Sequence, residues 1–298
     1  MTVAEALREA AARLGEASDT ARLDAEVLMA HALGVERSEL LLRHLGSETP
    51  PAYAALVERR LGHEPVAYIV GHQEFYGLEL LVTPAVLIPR GDSELLIEAA
   101  RGYFEAEGRS PAQILDLGTG SGALLLAALS VWPEAEGRGI DRSPEAIFVA
   151  LKNAQRHANT FIGVIGEGAF EVPEPRPDRG FAKFTIADWT QPGWAADPGR
   201  FDLILANPPY VEDEAALAPS VRAHEPPGAL FAGPEGLEAY RSLVPQLAEL
   251  LATGGIALVE IGAGQAEAVG AIAENAGFSV RLHHDLAGRP RALALRPN

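Results

Sequence analysis

The stretch ILDLGTGSG, residues 114–122, joins a short apolar run to a loop that contains three glycines. The run predicts a buried strand over residues 113–117, and the apolar pattern of residues 123–131 predicts a helix. Glycines at such a junction allow positive φ and let the backbone approach a ligand closely. The amides at the start of the following helix favour polar or anionic groups. The stretch therefore predicts a ligand-binding loop in an α/β fold.

Strands and helices continue to alternate along the rest of the chain. Helices are predicted over residues 144–157, 236–251 and 265–276. Further strands are predicted over residues 137–141, 181–187, 201–206, 256–261, 279–283 and 291–295. Repeated β-α units are typical of a mostly parallel sheet, here seven-stranded, with helices on both faces. The glycines and prolines of residues 163–180 instead predict a long surface loop.

The amino-terminal part has a different pattern. Apolar residues recur at helical spacing in residues 1–62, which predicts a small helical bundle. That bundle is either a packing domain or a partner-recognition module. Residues 63–90 read as a β-hairpin linker, because the β-branched and aromatic residues 66–70 and 78–82 flank a turn at Tyr76-Gly77. Residues 91–298 form the predicted α/β domain.

Composition excludes several classes of protein. The net charge of −17 over 298 residues argues against a protein held mainly by nucleic-acid phosphates. Without cysteine, the chain has no disulfide, thiolate metal site or cysteine nucleophile. The eight histidines follow no metal-binding pattern, so no metal site is predicted. No signal core or membrane span is evident, and we expect a cytoplasmic monomer.

An acidic residue ends the second predicted strand of the α/β domain. Asp141 lies 25 residues after Asp116, where a carboxylate can accept both hydroxyls of a ribose. The glycine spacing is G-x-G-x-G rather than the dinucleotide G-x-G-x-x-G, and no phosphate-loop lysine follows. The sequence therefore predicts a nucleotide-like pocket and disfavours nucleoside triphosphate hydrolysis. The alternative is a tight turn without a ligand and a solvated aspartate.

The most informative stretch is Asn207-Pro208-Pro209-Tyr210, which follows an apolar strand. The prolines remove two backbone donors and fix φ, while their carbonyls remain as acceptors. Asn207 adds a side-chain carbonyl acceptor, and Tyr210 adds a flat face. These groups suit a planar NH₂, whose two hydrogens need two acceptors. The alternative is a proline turn that merely ends the strand.

The glycine loop resembles the first motif of class I S-adenosylmethionine methyltransferases. The resemblance implies S-adenosyl-L-methionine as cofactor and S-adenosyl-L-homocysteine as its product. Asp188 and Trp189 resemble the pair that flanks the adenine, although Trp189 alone also fits a core aromatic. In these enzymes the Asn-Pro-Pro-Tyr pattern marks transfer to a nitrogen conjugated with a π system. The cofactor-binding residues implied are Gly118, Thr119, Gly120, Ser121, Gly122, Asp141, Asp188, Trp189 and Asn207.

Further stretches, spread over nearly the whole chain, resemble the HemK/PrmC family. They are residues 64–71, 74–77, 87–94, 225–237, 260–265 and 285–291. Ser93 stands where threonine is usual, which keeps a hydroxyl. The resemblance implies methylation of glutamine N5 in the Gly-Gly-Gln loop of class 1 peptide chain release factors. The bundle would then contact the release factor.

The same resemblance assigns roles at the second site. Asn207, Pro208 and Tyr210 would be catalytic, and residues 207–210 together would hold the glutamine amide. Arg90 and Glu94 are either site residues, or an interdomain ion pair, or part of a helix start capped by Asp92 or Ser93. The first rival function is an N6-adenine DNA methyltransferase, which the acidic composition disfavours. The second is a non-enzymatic cofactor-binding scaffold.

Overall fold

The computed structural model describes residues 1–157, 161–165, 168–169, 181–191, 193–194 and 199–298. The chain divides into two units, residues 1–72 with 217–225 and residues 73–216 with 226–298. The helices are α1 (Val3–Leu14), α2 (Ala21–Leu33), α3 (Arg37–Glu39), α4 (Tyr53–Leu61), α5 (Val66–Val70), α6 (Glu94–Ala106), α7 (Ala123–Val131), α8 (Pro144–His157), α9 (Pro219–His224), α10 (Glu238–Leu243), α11 (Leu247–Leu250) and α12 (Ala266–Asn275). Within the described residues, none of these helices has the length and apolar character needed to cross a membrane.

The strands are β1 (His72–Phe75), β2 (Leu78–Leu81), β3 (Gln113–Leu117), β4 (Glu136–Asp141), β5 (Phe161–Ile165), β6 (Gly168–Ala169), β7 (Ala182–Ile186), β8 (Phe201–Ala206), β9 (Leu251–Glu260), β10 (Phe278–His284) and β11 (Pro290–Pro297). The first two form a hairpin, and the other nine form one sheet in the order β10-β11-β9-β8-β3-β4-β7-β5-β6.

The first unit is helical, as the sequence predicts. Helix α1 begins at a capping box in which Thr2 and Glu5 satisfy each other's backbone amides. The apolar faces of α1, α2 and α4 bury side chains such as Leu7, Leu28 and Val57 in one core. Burial of these faces supplies most of the stability of such short helices.

The predicted β-hairpin is present, but its extent was predicted wrongly. Tyr76 and Gly77 have positive φ, 51° and 77°, as a two-residue hairpin turn requires. Residues 66–70 form helix α5 rather than a strand. The helix follows Pro65 and ends at Gly71, whose left-handed φ of 83° closes it with a hydrogen bond to Ala67. These boundary signals outweigh the β-branched composition.

The α/β fold class is confirmed, with all seven predicted strands in the sheet. Strands β3, β4, β7, β8 and β9 run parallel, and β11 is antiparallel to its neighbours β9 and β10. The sheet is two strands wider than predicted because β5 pairs with β7 and β6 pairs with β5. Part of the loop predicted over residues 163–180 is therefore strand. Residues 166–167 and 170–180 lie outside the described residues.

Two apolar layers enclose the sheet. One packs α6, α7 and α8 against one face, and the other packs α10, α11 and α12 against the opposite face. The helix predicted over residues 236–251 is divided into α10, a 3₁₀ turn and α11, because Pro245 within the turn lacks an amide donor. With both faces covered, the open place for a ligand is the edge where the parallel strands end.

Candidate functional site

A cavity of about 590 Å³ lies at the carboxyl ends of the neighbouring strands β8, β3 and β4. It brings together most of the residues that the sequence singled out. Those that line it are Gly118, Thr119, Gly120, Ser121, Asp141, Asp188, Trp189, Asn207 and Pro209. The buried Gly122 and Pro208 and the half-buried Tyr210 lie outside this lining.

The glycine loop is shaped by positive φ at all three of its glycines. Gly118, Gly120 and Gly122 have φ of 77°, 54° and 83°, values that side chains with a Cβ rarely adopt. The backbone carbonyl of Ile140 accepts hydrogen bonds from the amides of Gly118 and Thr119, each at 2.9 Å. These bonds fix the loop to the end of β4. The loop's shape thus depends on the glycines and on the neighbouring strand.

Asp141 also holds the loop. Its Oδ2 accepts the amide of Gly120 at 3.0 Å, and its Oδ1 accepts the amide of Ser143 at 2.9 Å. Burial raises the pKa of the Asp141 carboxyl, an effect that these two amide bonds oppose. Asp141 lines the cavity, and each of its carboxylate oxygens has a second lone pair, so the side chain can accept further hydrogen bonds.

Asp116 lies beneath the loop and is 1% exposed. The Thr119 hydroxyl donates to Asp116 Oδ2 at 2.6 Å, while Oδ1 makes no hydrogen bond within the described residues. Burial raises the pKa of Asp116 to about 7. The first acid of the glycine motif therefore supports the loop from below.

Trp189 lies against the loop. A Cβ built on Gly118 would be 3.1 Å from the indole Cη2, so the glycine allows the ring to approach. Asp188 accepts the amide and hydroxyl of Thr190 at 2.9 and 2.7 Å. Partial burial raises the pKa of Asp188, but these hydrogen bonds outweigh it and leave the pKa below its usual value. An indole ring and a carboxylate thus both line the cavity.

Asn207 enters the cavity directly after β8. Its Nδ2 donates to the Ser93 hydroxyl at 3.2 Å. Within the described residues its Oδ1 has no hydrogen-bond partner. The side-chain carbonyl oxygen is therefore left available as an acceptor.

Tyr210 is not among the residues that line the cavity, and two contacts hold it. Its hydroxyl donates to Glu260 Oε1 at 3.3 Å, and its carbonyl accepts from Gln265 Nε2 at 3.1 Å. Burial and the neighbouring Glu260 carboxylate raise the pKa of Tyr210 to about 12. These contacts fix the backbone on the far side of the two prolines.

The alternatives for residues 90–94 are also resolved in part. Arg90 lines the cavity. Glu94 accepts the amide of Tyr76 at 2.9 Å, so it holds the hairpin turn. The Ser93 side chain makes no helix-capping bond, and its hydroxyl donates to Glu260 instead. Asp92 pairs with Arg291 at 2.9 Å.

The sequence suggests only a helix-capping role for Ser93 and no role for Glu260. The carboxyl of Glu260 is the partner of both the Ser93 and Tyr210 hydroxyls. The hydroxyl retained at position 93 and the acid that ends β9 were the available signals. Nothing local in the sequence joins them, because the two residues lie 167 positions apart.

Comparisons with known proteins found matches in both the amino-terminal part and the α/β part of the chain. Residues 5–71 match the family model described as the PrmC N-terminal domain, and residues 109–173 match a methyltransferase domain model. A release factor glutamine methyltransferase from Geobacter sulfurreducens is 40% identical over 87% of this chain and 84% of its own. One from Cereibacter sphaeroides is 39% identical over 99% of both chains. A crystal structure of a release factor-specific protein-(glutamine-N5) methyltransferase from Alicyclobacillus acidocaldarius is 24% identical over 73% of this chain and 99% of that chain, with a TM-score of 0.39.

Proposed function

We propose that this chain, which belongs to the family of release factor glutamine methyltransferases, methylates N5 of the glutamine in the Gly-Gly-Gln loop of class 1 peptide chain release factors. S-adenosyl-L-methionine is the methyl donor, and S-adenosyl-L-homocysteine is the product. The modification supports translation termination, and the protein acts in the cytoplasm as a monomer.

The residues around the cavity fit this cofactor. The positive-φ glycines let the loop backbone approach a ligand, and Asp141 keeps acceptors for ribose hydroxyls. The indole of Trp189 offers a stacking face for the adenine. When bound, S-adenosyl-L-methionine supplies an electrophilic methyl group on a sulfonium. We assign its binding to Gly118–Gly122, Asp141, Asp188 and Trp189, with Asn207 at the reacting end.

The orientation of the Asn207 carboxamide carries the proposal. Its NH₂ is engaged by Ser93, so its carbonyl oxygen accepts one hydrogen of the incoming glutamine NH₂. We assign the second hydrogen to the backbone carbonyl of Pro208, which is followed by another proline. Two acceptors at a rigid turn hold a planar amide in one orientation.

The chemistry needs such an orientation because an amide nitrogen is a poor nucleophile. Its lone pair is delocalised into the carbonyl, and acceptors on both hydrogens favour the pyramidal geometry that frees it. Holding the nitrogen in line with the methyl group is mainly a matter of positioning. The fixed acceptor dipoles also stabilise the positive charge that develops on nitrogen. No general base is required before attack, since the methylated nitrogen loses its proton readily.

We assign recognition of the release factor to the helical bundle, residues 1–62. Remote contacts would then position the Gly-Gly-Gln loop at residues 207–210. An intact release factor should accordingly be a far better substrate than a short Gly-Gly-Gln peptide. Equal efficiency on both would contradict this role for the bundle.

The decisive experiment is incubation with radiolabelled cofactor and three acceptors. These are a release factor, its variant with alanine in place of the loop glutamine, and duplex DNA. We expect label in the intact release factor alone. Label in the DNA would favour the adenine methyltransferase, and no label in any acceptor would favour the non-enzymatic scaffold.

The role of Asn207 is tested by Asn207→Ala. Loss of a preorganised polar group in a site of this kind costs about 10²- to 10³-fold in kcat, while cofactor affinity measured by calorimetry should change little. Asn275→Ala, at the exposed end of α12, is the matched control. Normal turnover of Asn207→Ala would reject the assignment.

A further inference from the structure

We propose that Glu260, acting through Ser93, is a positioning residue that determines which end of the Asn207 carboxamide faces the cavity. The inference rests on the proposed function, since it concerns the acceptor offered to the substrate amide. It assigns a task to two buried polar residues that do not belong to the Asn-Pro-Pro-Tyr stretch.

A continuous set of hydrogen bonds starts in the lining of the cavity and joins four side chains, which we name the carboxylate relay: Asn207, Ser93, Glu260 and Tyr210. Asn207 Nδ2 donates to Ser93 Oγ at 3.2 Å, and Ser93 Oγ donates to Glu260 Oε2 at 2.5 Å. Tyr210 donates to the other carboxylate oxygen at 3.3 Å. Ser93 is 4% exposed and Glu260 is 2% exposed, so water competes little for these bonds.

The direction of each bond follows from the ionised carboxylate. A carboxylate only accepts hydrogen bonds, and a serine hydroxyl has a single hydrogen to donate. Because Ser93 donates that hydrogen to Glu260, its oxygen must accept from Asn207. The NH₂ end of the carboxamide therefore turns toward Ser93, and the carbonyl end remains for the substrate.

A proton on Glu260 Oε2, the oxygen that Ser93 contacts, reverses this direction. A carboxylic acid donates to the Ser93 oxygen, and the Ser93 hydroxyl then donates to Asn207. The Asn207 carbonyl must turn toward Ser93 to accept it, which leaves the NH₂ end facing the substrate. Two NH₂ groups then oppose each other, and the substrate loses an acceptor.

Charged and titratable groups on several elements surround Glu260. Burial raises the pKa of Glu260 to about 7, opposed by the Ser93 bond and by Arg291 on β11, while Asp92 before α6 raises it further. Tyr210 donates to the carboxylate, and the hydroxyl of Tyr240 on α10 donates to the Glu260 backbone carbonyl at 2.9 Å. Glu260 therefore changes its protonation state near neutral pH.

The kinetic test compares two variants with the parent in single turnover on a release factor, with saturating cofactor. Ser93→Ala removes the central hydroxyl, and we expect the rate to fall about 10-fold or more without a change in S-adenosyl-L-homocysteine affinity. Ser93→Thr keeps the hydroxyl and should stay within about threefold of the parent rate. A Ser93→Ala variant as fast as the parent would overturn the inference.

The pH profile supplies a readout that a purely structural role would not move. The parent rate should fall as the pH drops through about 7, following protonation of Glu260. Glu260→Gln cannot ionise, so its rate, whatever its size, should lack this acidic limb. Asp116→Asn, which removes another buried carboxyl whose pKa is near 7, should retain it. An acidic limb that persists in Glu260→Gln would contradict the inference.

A spectroscopic measurement separates this inference from the proposed function. In ¹⁵N spectra of the protein without substrate, the Asn207 side-chain NH₂ signals should shift with an apparent pKa near 7, and Ser93→Ala or Glu260→Gln should abolish that shift. If the parent transfers no methyl to the release factor but the shift is present, the proposed function fails and the relay stands. If transfer occurs and the Asn207 signals do not titrate, the relay alone is wrong.

Discussion

Asp141 accepts the backbone amide of Gly120 at 3.0 Å, so the carboxylate that ends β4 is also a structural part of the glycine loop. Its second oxygen accepts the amide of Ser143 at the start of α8, at 2.9 Å. One side chain thereby joins two crossover connections of the sheet. A ligand that binds Asp141 would contact a carboxylate already fixed in direction.

Asp141→Ala should weaken S-adenosyl-L-methionine binding by about 10- to 100-fold, since a hydrogen bond to a charged group contributes roughly 1.5–3 kcal/mol. Asp141→Asn keeps one acceptor oxygen, so its cofactor affinity should lie between those of Asp141→Ala and the parent. Isothermal titration calorimetry measures both affinities, with circular dichroism to verify folding. An affinity unchanged within error in Asp141→Ala would remove Asp141 from the binding site.

Gly118→Ala should weaken cofactor binding for two reasons. The new Cβ would lie 3.1 Å from the Trp189 ring, and the backbone φ of 77° is strained for alanine. Gly277→Ala is the matched control, because its φ of 87° imposes the same kind of strain with nothing within 4 Å of the Cβ. We expect both variants to lose about 1 kcal/mol of stability from the backbone, and only Gly118→Ala to lose cofactor affinity. Equal affinities would show that the ring contact is unimportant.

The sheet could be predicted because its signals are local. Each core strand is a short apolar run between helical patterns, and the functional stretches lie where such runs end, as at Gly118 and Asn207. Sheet geometry then brings the ends of β8, β3 and β4 together without further information. The architecture and most of the cavity lining follow from these patterns.

What could not be predicted depends on contacts between distant residues or on competing local signals. Residues 66–70 suit a strand by composition, and only their termini at Pro65 and Gly71 favour the helix that forms. The bond from Ser93 to Glu260 joins residues 167 positions apart, on the start of α6 and the end of β9. No periodicity encodes that pairing, so the groups that orient Asn207 emerge only from the folded chain.

Asp24→Ala should destabilise the helical unit strongly. Arg60 donates to Asp24 at 2.7 Å, and both side chains are buried. Removing one partner leaves a buried charge uncompensated, which costs about 3–5 kcal/mol. Hydrogen exchange of the amides in residues 1–72 measures the loss region by region. Arg13→Ala is the control, because it removes an ion pair with Glu58 at the surface, and it should change hydrogen exchange little. Similar effects of Asp24→Ala and Arg13→Ala on exchange would contradict a special cost of breaking the buried pair.

Asp116→Asn should become more stabilising, relative to the parent, as the pH rises. Burial raises the pKa of Asp116 from 3.8 to about 7 in the folded state, so between these values the unfolded chain ionises while the folded chain remains protonated. Ionisation of the unfolded chain lowers the parent's free energy of unfolding by about 1.4 kcal/mol per pH unit across that window, with no further change above it. Asparagine has no such dependence, and any cost of its buried NH₂ is a constant offset. Urea denaturation at several pH values gives the difference between variant and parent, which should rise from about pH 4 to 7 and then level off. Thr119→Val removes the hydroxyl that lowers the pKa of Asp116. In that background the stability difference between Asp116→Asn and its parent should keep rising to higher pH. A stability difference that does not depend on pH would show that Asp116 is already ionised in the folded protein.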